Sequence, residues 1–149
     1  MKLRTHISKQ KTLFLAGRTD KNNEDLIAQV KPEELVFHTK APGSPFVNIK
    51  GIPKEGDIIE AAIMCARYSR DWKKNKGDIA IHKFIGKNIK KSKLMKTGTF
   101  GVKSPDSIKV KEEQIKNFKS NPAKKGQLME FEKEGIINYS TIINQTILK

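Results

Sequence analysis

Lysine and arginine side chains are concentrated in one stretch of the chain, residues 67–103. Twelve of them lie there against two aspartates, which gives a charge of +10 over 37 residues. Such side chains neutralise phosphates, and binding releases counterions from a polyanion. Apolar residues are interleaved with the lysines, so the stretch should fold and present a polyanion-binding surface, although solvated lysines on any folded surface have the same composition. The basic residues are Arg67, Arg70, Lys73, Lys74, Lys76, Lys83, Lys87, Lys90, Lys91, Lys93, Lys96 and Lys103.

The whole chain has the same bias as this stretch. Thirty lysines and arginines against 16 acidic residues leave a net charge of +14 on 149 residues, a length typical of one domain. The single cysteine, Cys65, excludes a disulfide framework and a cysteine-based zinc site. The N-terminus lacks an apolar leader, and no stretch reaches membrane-spanning length. We therefore expect a protein of the reducing cytoplasm with no membrane partner.

Catalytic chemistry has little support in the residue pattern. His6, His38 and His82 are scattered, and no pair of histidines has metal-ligand spacing. The chain also lacks a nucleophile elbow, a Walker loop and a zincin motif. The sequence therefore predicts a non-enzymatic protein with no cofactor and no metal ion.

Two turns in the first third of the chain offer further polar groups. Residues 12–16 form a short apolar run closed by Gly17, and Asn22 or Asn23 is expected to cap the helix that follows. This places Arg18 and Asn23 on one strand-to-helix turn, which suits a phosphate, although a helix cap and a solvated arginine explain them equally well. Residues 35–39 and 46–50 read as an antiparallel hairpin whose connection contains Pro-Gly.

One long helix is expected to hold these turns in place. Residues 57–72 are apolar over more than one stripe. They begin with a predicted capping box, in which Asp57 is the N-cap and the side chain of Glu60 accepts a hydrogen bond from the backbone amide of Asp57. Short strands are predicted at 78–84, 99–103 and 107–110. The fold class is therefore α+β: a single domain with an antiparallel sheet packed against one long central helix and a shorter N-terminal helix.

The last part of the chain, residues 111–149, is expected to pack on residues 1–110 as an accessory extension. Residues 111–119 read as a short helix and 127–131 as a strand. Residues 136–148 are rich in β-branched side chains and fit either a strand or a helix.

Four blocks occur in a fixed order and together resemble a known family. They are Ala16-Gly17-Arg18 with Asn23-Glu24, Phe37-His38-Thr39-Lys40 with Pro42-Gly43-Ser44, Arg67-Tyr68-Ser69-Arg70, and Lys87-Asn88-Ile89-Lys90-Lys91 with Gly98. The chain resembles the NFACT-R domain, an RNA-binding module found in ribosome quality-control factors of the NEMF and RqcH type and in small stand-alone proteins. The resemblance implies an RNA partner, either tRNA or ribosomal RNA, and also the large ribosomal subunit.

The resemblance and the local charge together give a set of expected RNA contacts. They are Arg18, Asn23, His38, Thr39, Lys40, Gly43, Ser44, Arg67, Ser69, Arg70, Lys87, Lys90, Lys91, Lys93 and Lys96. The chain departs from the family pattern at Pro45, where a histidine is common, at Val36, where tryptophan is frequent, and at Thr97, which replaces proline. These departures would change the affinity or the target if the replaced residues bind RNA in relatives.

Two other functions fit the same residues. A basic adaptor protein could dock on an acidic surface of a ribosomal protein or translation factor, its charge speeding association. An RNA-modifying or RNA-processing enzyme could use His38 or His82 as a general base. The leading interpretation is a non-catalytic module that binds the phosphate backbone of tRNA or ribosomal RNA through a basic face, in translation or ribosome quality control.

Overall fold

The computed structural model describes residues 3–91 and 95–143. Its strands are β1 (Arg4–Ile7), β2 (Leu13–Ala16), β3 (Leu35–Thr39), β4 (Val47–Ile49), β5 (Ile79–Ile85), β6 (Ile89–Lys90), β7 (Gly101–Val102) and β8 (Asp106–Val110). Its α-helices are α1 (Asp20–Ala28), α2 (Asp57–Arg67), α3 (Arg70–Asn75), α4 (Glu112–Lys116), α5 (Lys125–Lys133) and α6 (Tyr139–Ile143), and a 3-10 turn spans Gly86–Asn88. None of the described helices is long and apolar enough to cross a membrane.

Six strands form an antiparallel sheet in the order β1-β2-β4-β3-β5-β8, and β6 and β7 form a separate two-stranded ribbon. The hairpin predicted from the Pro-Gly connection is present, with Val36 opposite Asn48 and Phe37 opposite Val47. The predicted α+β fold, a single domain with a main antiparallel sheet and packed helices, is therefore confirmed.

Alternation along the strands gives the sheet two buried faces. On one face, Phe37 and Ile81 pack against the small side chains of α2, including Ala62 and Ala66. On the other face, Val36 and Phe84 share a second core with Leu26 of α1 and with residues of the C-terminal helices. The sheet is thus buried on both sides, and Val36, at the position where the family often has tryptophan, is fully buried.

The predicted long helix is interrupted, which corrects the expectation of one helix over 57–72. The α2 helix ends at Arg67, and Ser69 is extended with ψ of 154°. The Ser69 hydroxyl accepts a hydrogen bond from the Trp72 amide at 3.1 Å and donates to the Ala66 carbonyl at 2.7 Å. Ser69 therefore closes α2 and caps α3, which is the preferred use of serine at a helix start.

The predicted caps of α1 and α2 are also wrong. Thr19 caps α1, its Oγ1 accepting from the Asn22 amide at 3.1 Å, while Asn22 and Asn23 lie inside the first turn. The α2 cap is Gly56, and Asp57 is the first helical residue. The Asp57 carboxylate accepts from the Ser8 hydroxyl and the Lys54 amide, so it fixes the helix to neighbouring loops.

The C-terminal residues contribute to both cores. Ile115 of α4 is buried beside α2, while Leu128 and Ile142 are buried on the opposite face. Residues 127–131, predicted as a strand, lie in α5, because Leu128 and Phe131 are spaced to share one helix face against that core. A boundary at residue 110 stays a prediction. The predicted strands near 101 and 107 exist, but β7 pairs with β6 and β8 with β5.

Candidate nucleic-acid interface

A polar cleft of about 250 Å³ lies where strand β1 meets three turns of the fold, and we call it the basic cleft. Its cations are Arg4 of β1, Arg18 of the β2–α1 turn, and Arg70 and Lys73 of α3. Asp20 is the one carboxylate in its lining. Four cations facing one acid make this a site of positive potential, to which the N-terminus of α1 adds its dipole. The remaining lining residues are Gly17, Thr19, Asn23, Gly43, Ser44, Pro45 and Tyr68.

Arg4 is the most unusual of the four cations. Its guanidinium carbon lies 3.8 Å from the centroid of the Tyr68 ring, and its Nε is buried without a hydrogen-bond partner. Burial lowers the pKa of Arg4, contact with Tyr68 opposes the shift, and the charge of Arg18 lowers it further. A buried donor on a cation, with another cation nearby, is costly unless an anion joins it. An anion bound in the cleft would therefore stabilise the charged Arg4 side chain.

The β3–β4 turn places Arg70 at this cleft. Gly43 has a φ of +90°, a conformation that glycine adopts without strain, and its carbonyl accepts from the Arg70 amide at 2.7 Å. A Cβ on Gly43 would lie 3.1 Å from the Cβ of Arg70, so the two segments are in close contact. The Pro-Gly turn and the start of α3 thus hold one another in position.

Asn23 connects the β2–α1 turn to the end of the β3–β4 connection. It is 5% exposed, and its Oδ1 accepts from the Phe46 amide at 3.2 Å. A Cβ on Gly17 would collide with that Oδ1, so glycine is needed for the close approach. Arg18 lies exposed at this turn, its amide donating to Asn22 at 3.0 Å. Asn23 therefore positions the walls of the cleft, while the side chain of Arg18 is available to a ligand.

A second cleft, of about 450 Å³, adjoins the first, and we call it the aromatic cleft. The two share Asp20, Asn23, Gly43 and Ser44 in their linings. Phe46 forms its floor, with ring centroids 4.4 Å from His38 and 5.5 Å from Phe100. The rest of its lining is Thr39, Lys40, Pro42, His82, Phe84, Gly98, Thr99, Val102 and Pro105.

His38 and His82 are directly opposite each other on β3 and β5. The Nδ1–H of His38 donates to the Thr39 carbonyl at 2.8 Å. Burial lowers the pKa of His38, and the nearby His82 lowers it as well, against the raising effect of the hydrogen bond to Thr39. His38 is therefore a neutral imidazole at physiological pH, with an aromatic face but no charge.

Several predicted contacts line these clefts, and others do not. Arg18, Asn23, Gly43, Ser44 and Arg70 line the basic cleft, and His38, Thr39 and Lys40 line the aromatic cleft. Arg67, Ser69, Lys87, Lys90, Lys91 and Lys96 line neither, and Lys93 lies outside the described residues. The hydroxyl of Ser69 is committed to the helix junction, and Thr39 is buried with its Oγ1 donating to the Ala41 carbonyl.

The lysines between residues 87 and 96 that were predicted as RNA contacts, here called the lysine track, are partly engaged in contacts within the protein. Lys91 pairs with Glu24 at 2.8 Å, donates to the Thr99 carbonyl at 2.8 Å and lies 4.7 Å from the Phe100 ring centroid. Lys91 therefore fastens the 96–100 segment, and this contact with Lys91 lowers the pKa of Glu24. Lys87 is an exposed cation 3.4 Å from Glu33, and Lys90 and Lys96 are exposed.

The sequence analysis missed three residues that shape the clefts. Arg4 precedes every recognised block, and β1 was not predicted, so nothing placed it near Arg18. Phe100 resembles any core aromatic in sequence, yet it is half-buried at the mouth of a cleft. Asp20 belongs to the first turn of α1, where acidic residues are common because they interact favourably with the helix dipole, so its sequence position did not indicate a binding role. Among the described residues no group of three acidic, histidine or cysteine side chains has metal-binding geometry.

Comparison with known proteins identifies the family. The model of the NFACT protein RNA binding domain matches residues 2–104. A solved structure, the C-terminal part of the fibronectin/fibrinogen-binding protein from Streptococcus suis, is similar with a TM-score of 0.70 and 22% identity, which shows a shared fold. The match covers 80% of this chain and 49% of that one, so the chain spans about half of that structure. No curated protein matches the chain in sequence. The chain belongs to the NFACT protein RNA binding domain family.

Proposed function

We propose that the chain is a non-catalytic RNA-binding module that holds the phosphate backbone of tRNA or ribosomal RNA in the basic cleft. The observation that carries the proposal is the grouping of Arg4, Arg18, Arg70 and Lys73 around one cleft with a buried, unpartnered donor on Arg4. Guanidinium groups bind phosphate oxygens through paired donors, and phosphate contacts set register and orientation on the RNA. Membership of an RNA-binding family supports this partner.

The cellular setting is part of the same proposal. A basic surface and the family resemblance favour translation or ribosome quality control in the cytoplasm, with the large ribosomal subunit as a second partner. The adaptor alternative predicts that ribosome association survives removal of RNA. Pull-down of the tagged protein from lysate, with and without RNase, separates the two, because only an RNA-mediated complex dissolves on digestion.

A salt series with charge-reversed variants tests the basic cleft directly. Binding of tRNA and of ribosomal RNA fragments is measured by fluorescence anisotropy for the wild type and for Arg70→Glu/Lys73→Glu. The matched control is Lys109→Glu/Lys116→Glu, which makes the same charge change at exposed lysines that line neither cleft. Removing one cation that binds phosphate should reduce the salt slope by about 1. We expect the cleft variant to lose about two units of slope and the control less than one.

Two results would contradict the proposal. Equal slopes and affinities for the cleft variant and its control would mean that net charge, not the cleft, drives binding. Cleavage or modification of the RNA after incubation would contradict the non-catalytic role. The predicted lysine track is tested in the same assay by Lys87→Glu/Lys90→Glu, which is expected to weaken binding if RNA extends beyond the cleft.

A further inference from the structure

The phosphate contacts proposed above do not use the rings of the aromatic cleft, which opens beside the basic cleft. The two share one wall, formed by Asp20, Asn23, Gly43 and Ser44. A nucleotide is built in the same order, with an anionic phosphate and an aromatic base on either side of a polar ribose. The order of basic cleft, polar wall and aromatic cleft therefore matches the order of phosphate, ribose and base in one nucleotide.

The aromatic cleft has the properties of a base-binding site. His38, His82 and Phe100 are only half-buried, and they surround the buried ring of Phe46. Stacking on aromatic rings is the usual way in which proteins hold an unpaired base, and it tolerates any base. Because burial lowers the pKa of His38, its ring is neutral and adds no second phosphate attraction at this point.

The size of the cleft fits the same ligand. Its volume of about 450 Å³ lies within the range of roughly 300–1,000 Å³ typical of small-molecule sites. Lys40 and Thr99 are exposed at its rim and offer polar groups to the edges of a base. A paired base is inaccessible to such a cleft, because its faces are stacked in the helix.

Asp20 gives the shared wall a specific role. Its carboxylate is exposed and forms no hydrogen bond or ion pair with any residue in the described ranges 3–91 and 95–143. Gly98 packs against it, since a Cβ on Gly98 would lie 2.7 Å from the Cα of Asp20. A free carboxylate repels phosphate, but it accepts hydrogen bonds from ribose hydroxyl groups, as acidic residues do in dinucleotide-binding sites. The 2′-hydroxyl is also the group by which a protein distinguishes RNA from DNA.

We propose that the two clefts form one site for an unpaired ribonucleotide, with phosphate in the basic cleft, ribose at Asp20 and base in the aromatic cleft. This inference rests on the proposed function and adds a ligand class to it. The module then selects RNA with an exposed single-stranded or splayed-out nucleotide, such as a loop or an end, over uninterrupted duplex. Both its preference for RNA over DNA and its preference for loops follow from the one geometry.

Three oligonucleotides test the site: an RNA hairpin with an unpaired loop, the blunt RNA duplex of the same stem, and the DNA hairpin of the same sequence. The aromatic-cleft variants are Phe100→Leu, which keeps apolar bulk but removes the ring, and His82→Ala. The control is Phe131→Leu, a half-buried aromatic of α5 that lines neither cleft. Folding of each variant is checked by circular dichroism and thermal unfolding.

We expect the wild type to bind the RNA hairpin more tightly than the duplex or the DNA hairpin. Loss of one stacking ring should weaken hairpin binding roughly 5- to 150-fold and leave duplex binding within about twofold. Asp20→Ala should abolish the preference for RNA over DNA, measured as the ratio of the two dissociation constants. The loss of one negative charge strengthens binding of both hairpins, so its effect cancels in that ratio. A 2-aminopurine in the loop should change fluorescence on binding the wild type and not on binding Phe100→Leu.

The outcomes separate this inference from the function on which it rests. The nucleotide site is refuted if the hairpin and the duplex bind equally and the aromatic-cleft variants behave like Phe131→Leu. Phosphate binding still stands in that case if Arg70→Glu/Lys73→Glu weakens the binding of both RNAs. If the Arg70→Glu/Lys73→Glu variant binds every RNA like the wild type, the proposed function itself fails. An unchanged RNA-to-DNA ratio in Asp20→Ala refutes the ribose contact.

Discussion

A buried ion pair next to the C-terminal end of α1 joins the end of β4 to the residue before β3. Lys50, just after β4, places its Nζ 2.6 Å from an Oε1 of Glu34, and the two side chains are 1% and 6% exposed. The same Nζ donates to Gln29, the C-cap of α1, at 2.9 Å. Since the opposite end of α1 carries Asp20 and Asn23, this ion pair helps to orient the helix that forms the wall between the clefts.

Replacing Lys50 by methionine would leave the Glu34 carboxylate buried without its cation. Removing one partner of a buried pair costs about 3–5 kcal/mol of unfolding free energy. Glu34 would keep hydrogen bonds from the amides of Lys31 and Gly51, both at 3.0 Å, which places the loss near the lower end, at about 3 kcal/mol. Burial lowers the pKa of Lys50 and Glu34 opposes that shift, so the lysine itself depends on its partner for its charge.

Urea unfolding of Lys50→Met, followed by circular dichroism, measures the loss. The control is Lys116→Met, which breaks an exposed pair with Glu112 at 3.2 Å and should cost no more than about 0.5 kcal/mol. The double variant Lys50→Met/Glu34→Gln removes the orphaned charge and should recover part of the stability. A loss below about 1 kcal/mol for Lys50→Met, equal to that of the control, would contradict the argument that burial makes breaking this ion pair more costly to the free energy of unfolding.

Three further predictions concern single sites. Burial places the folded-state pKa of His38 below the ordinary 6.5, so the unfolded chain binds a proton first as the pH is lowered. The free energy of unfolding should therefore fall as the pH is lowered through 6.5, and urea unfolding should show a smaller fall in His38→Gln. Gly98→Ala, at φ of +81° against Asp20, should cost more than about 1 kcal/mol and weaken RNA binding, whereas Gly126→Ala, with open space around it, should stabilise by about 0.5 kcal/mol in thermal unfolding. Burial raises the pKa of Cys65 to about 12, so iodoacetamide should label it only in denaturant, as mass spectrometry would show.

Local signals in the sequence were enough for much of the fold. The Pro42-Gly43 turn identified the β3–β4 hairpin, and the apolar run after Asp57 identified the helix against the sheet, because both depend on neighbours within a few residues. Signals of that kind were not enough where a side chain has a distant partner. Asn23 looks like a helix cap, but its oxygen accepts from the Phe46 amide, 23 residues away.

The aromatic cleft shows a second limit. Its central contact is the pairing of His38 with His82, which comes from the non-consecutive neighbours β3 and β5. Nothing within either strand specifies that register, because it is set by burial of alternate residues on both faces of the assembled sheet. Two scattered histidines in the sequence thus become neighbours in the fold. The sequence analysis expected His38 alone as an RNA contact and considered either histidine as a general base, without predicting that the two lie side by side.

Charge density along the chain is also different from charge density in space. Lys87 and Lys91 belong to the most basic stretch, but they lie against Glu33 and Glu24, which come from the region around α1. Arg4 lies far outside that stretch in the sequence, yet the antiparallel pairing of β1 with β2 sets it opposite Ala16 and so beside Arg18. Because a phosphate responds to potential over a few ångströms, four cations from three distant segments make a stronger site than a longer run of lysines with acidic neighbours. Of the basic stretch, Arg70 and Lys73 lie in the cleft, so their charge reversal should weaken RNA binding more than charge reversal at Lys87 and Lys90.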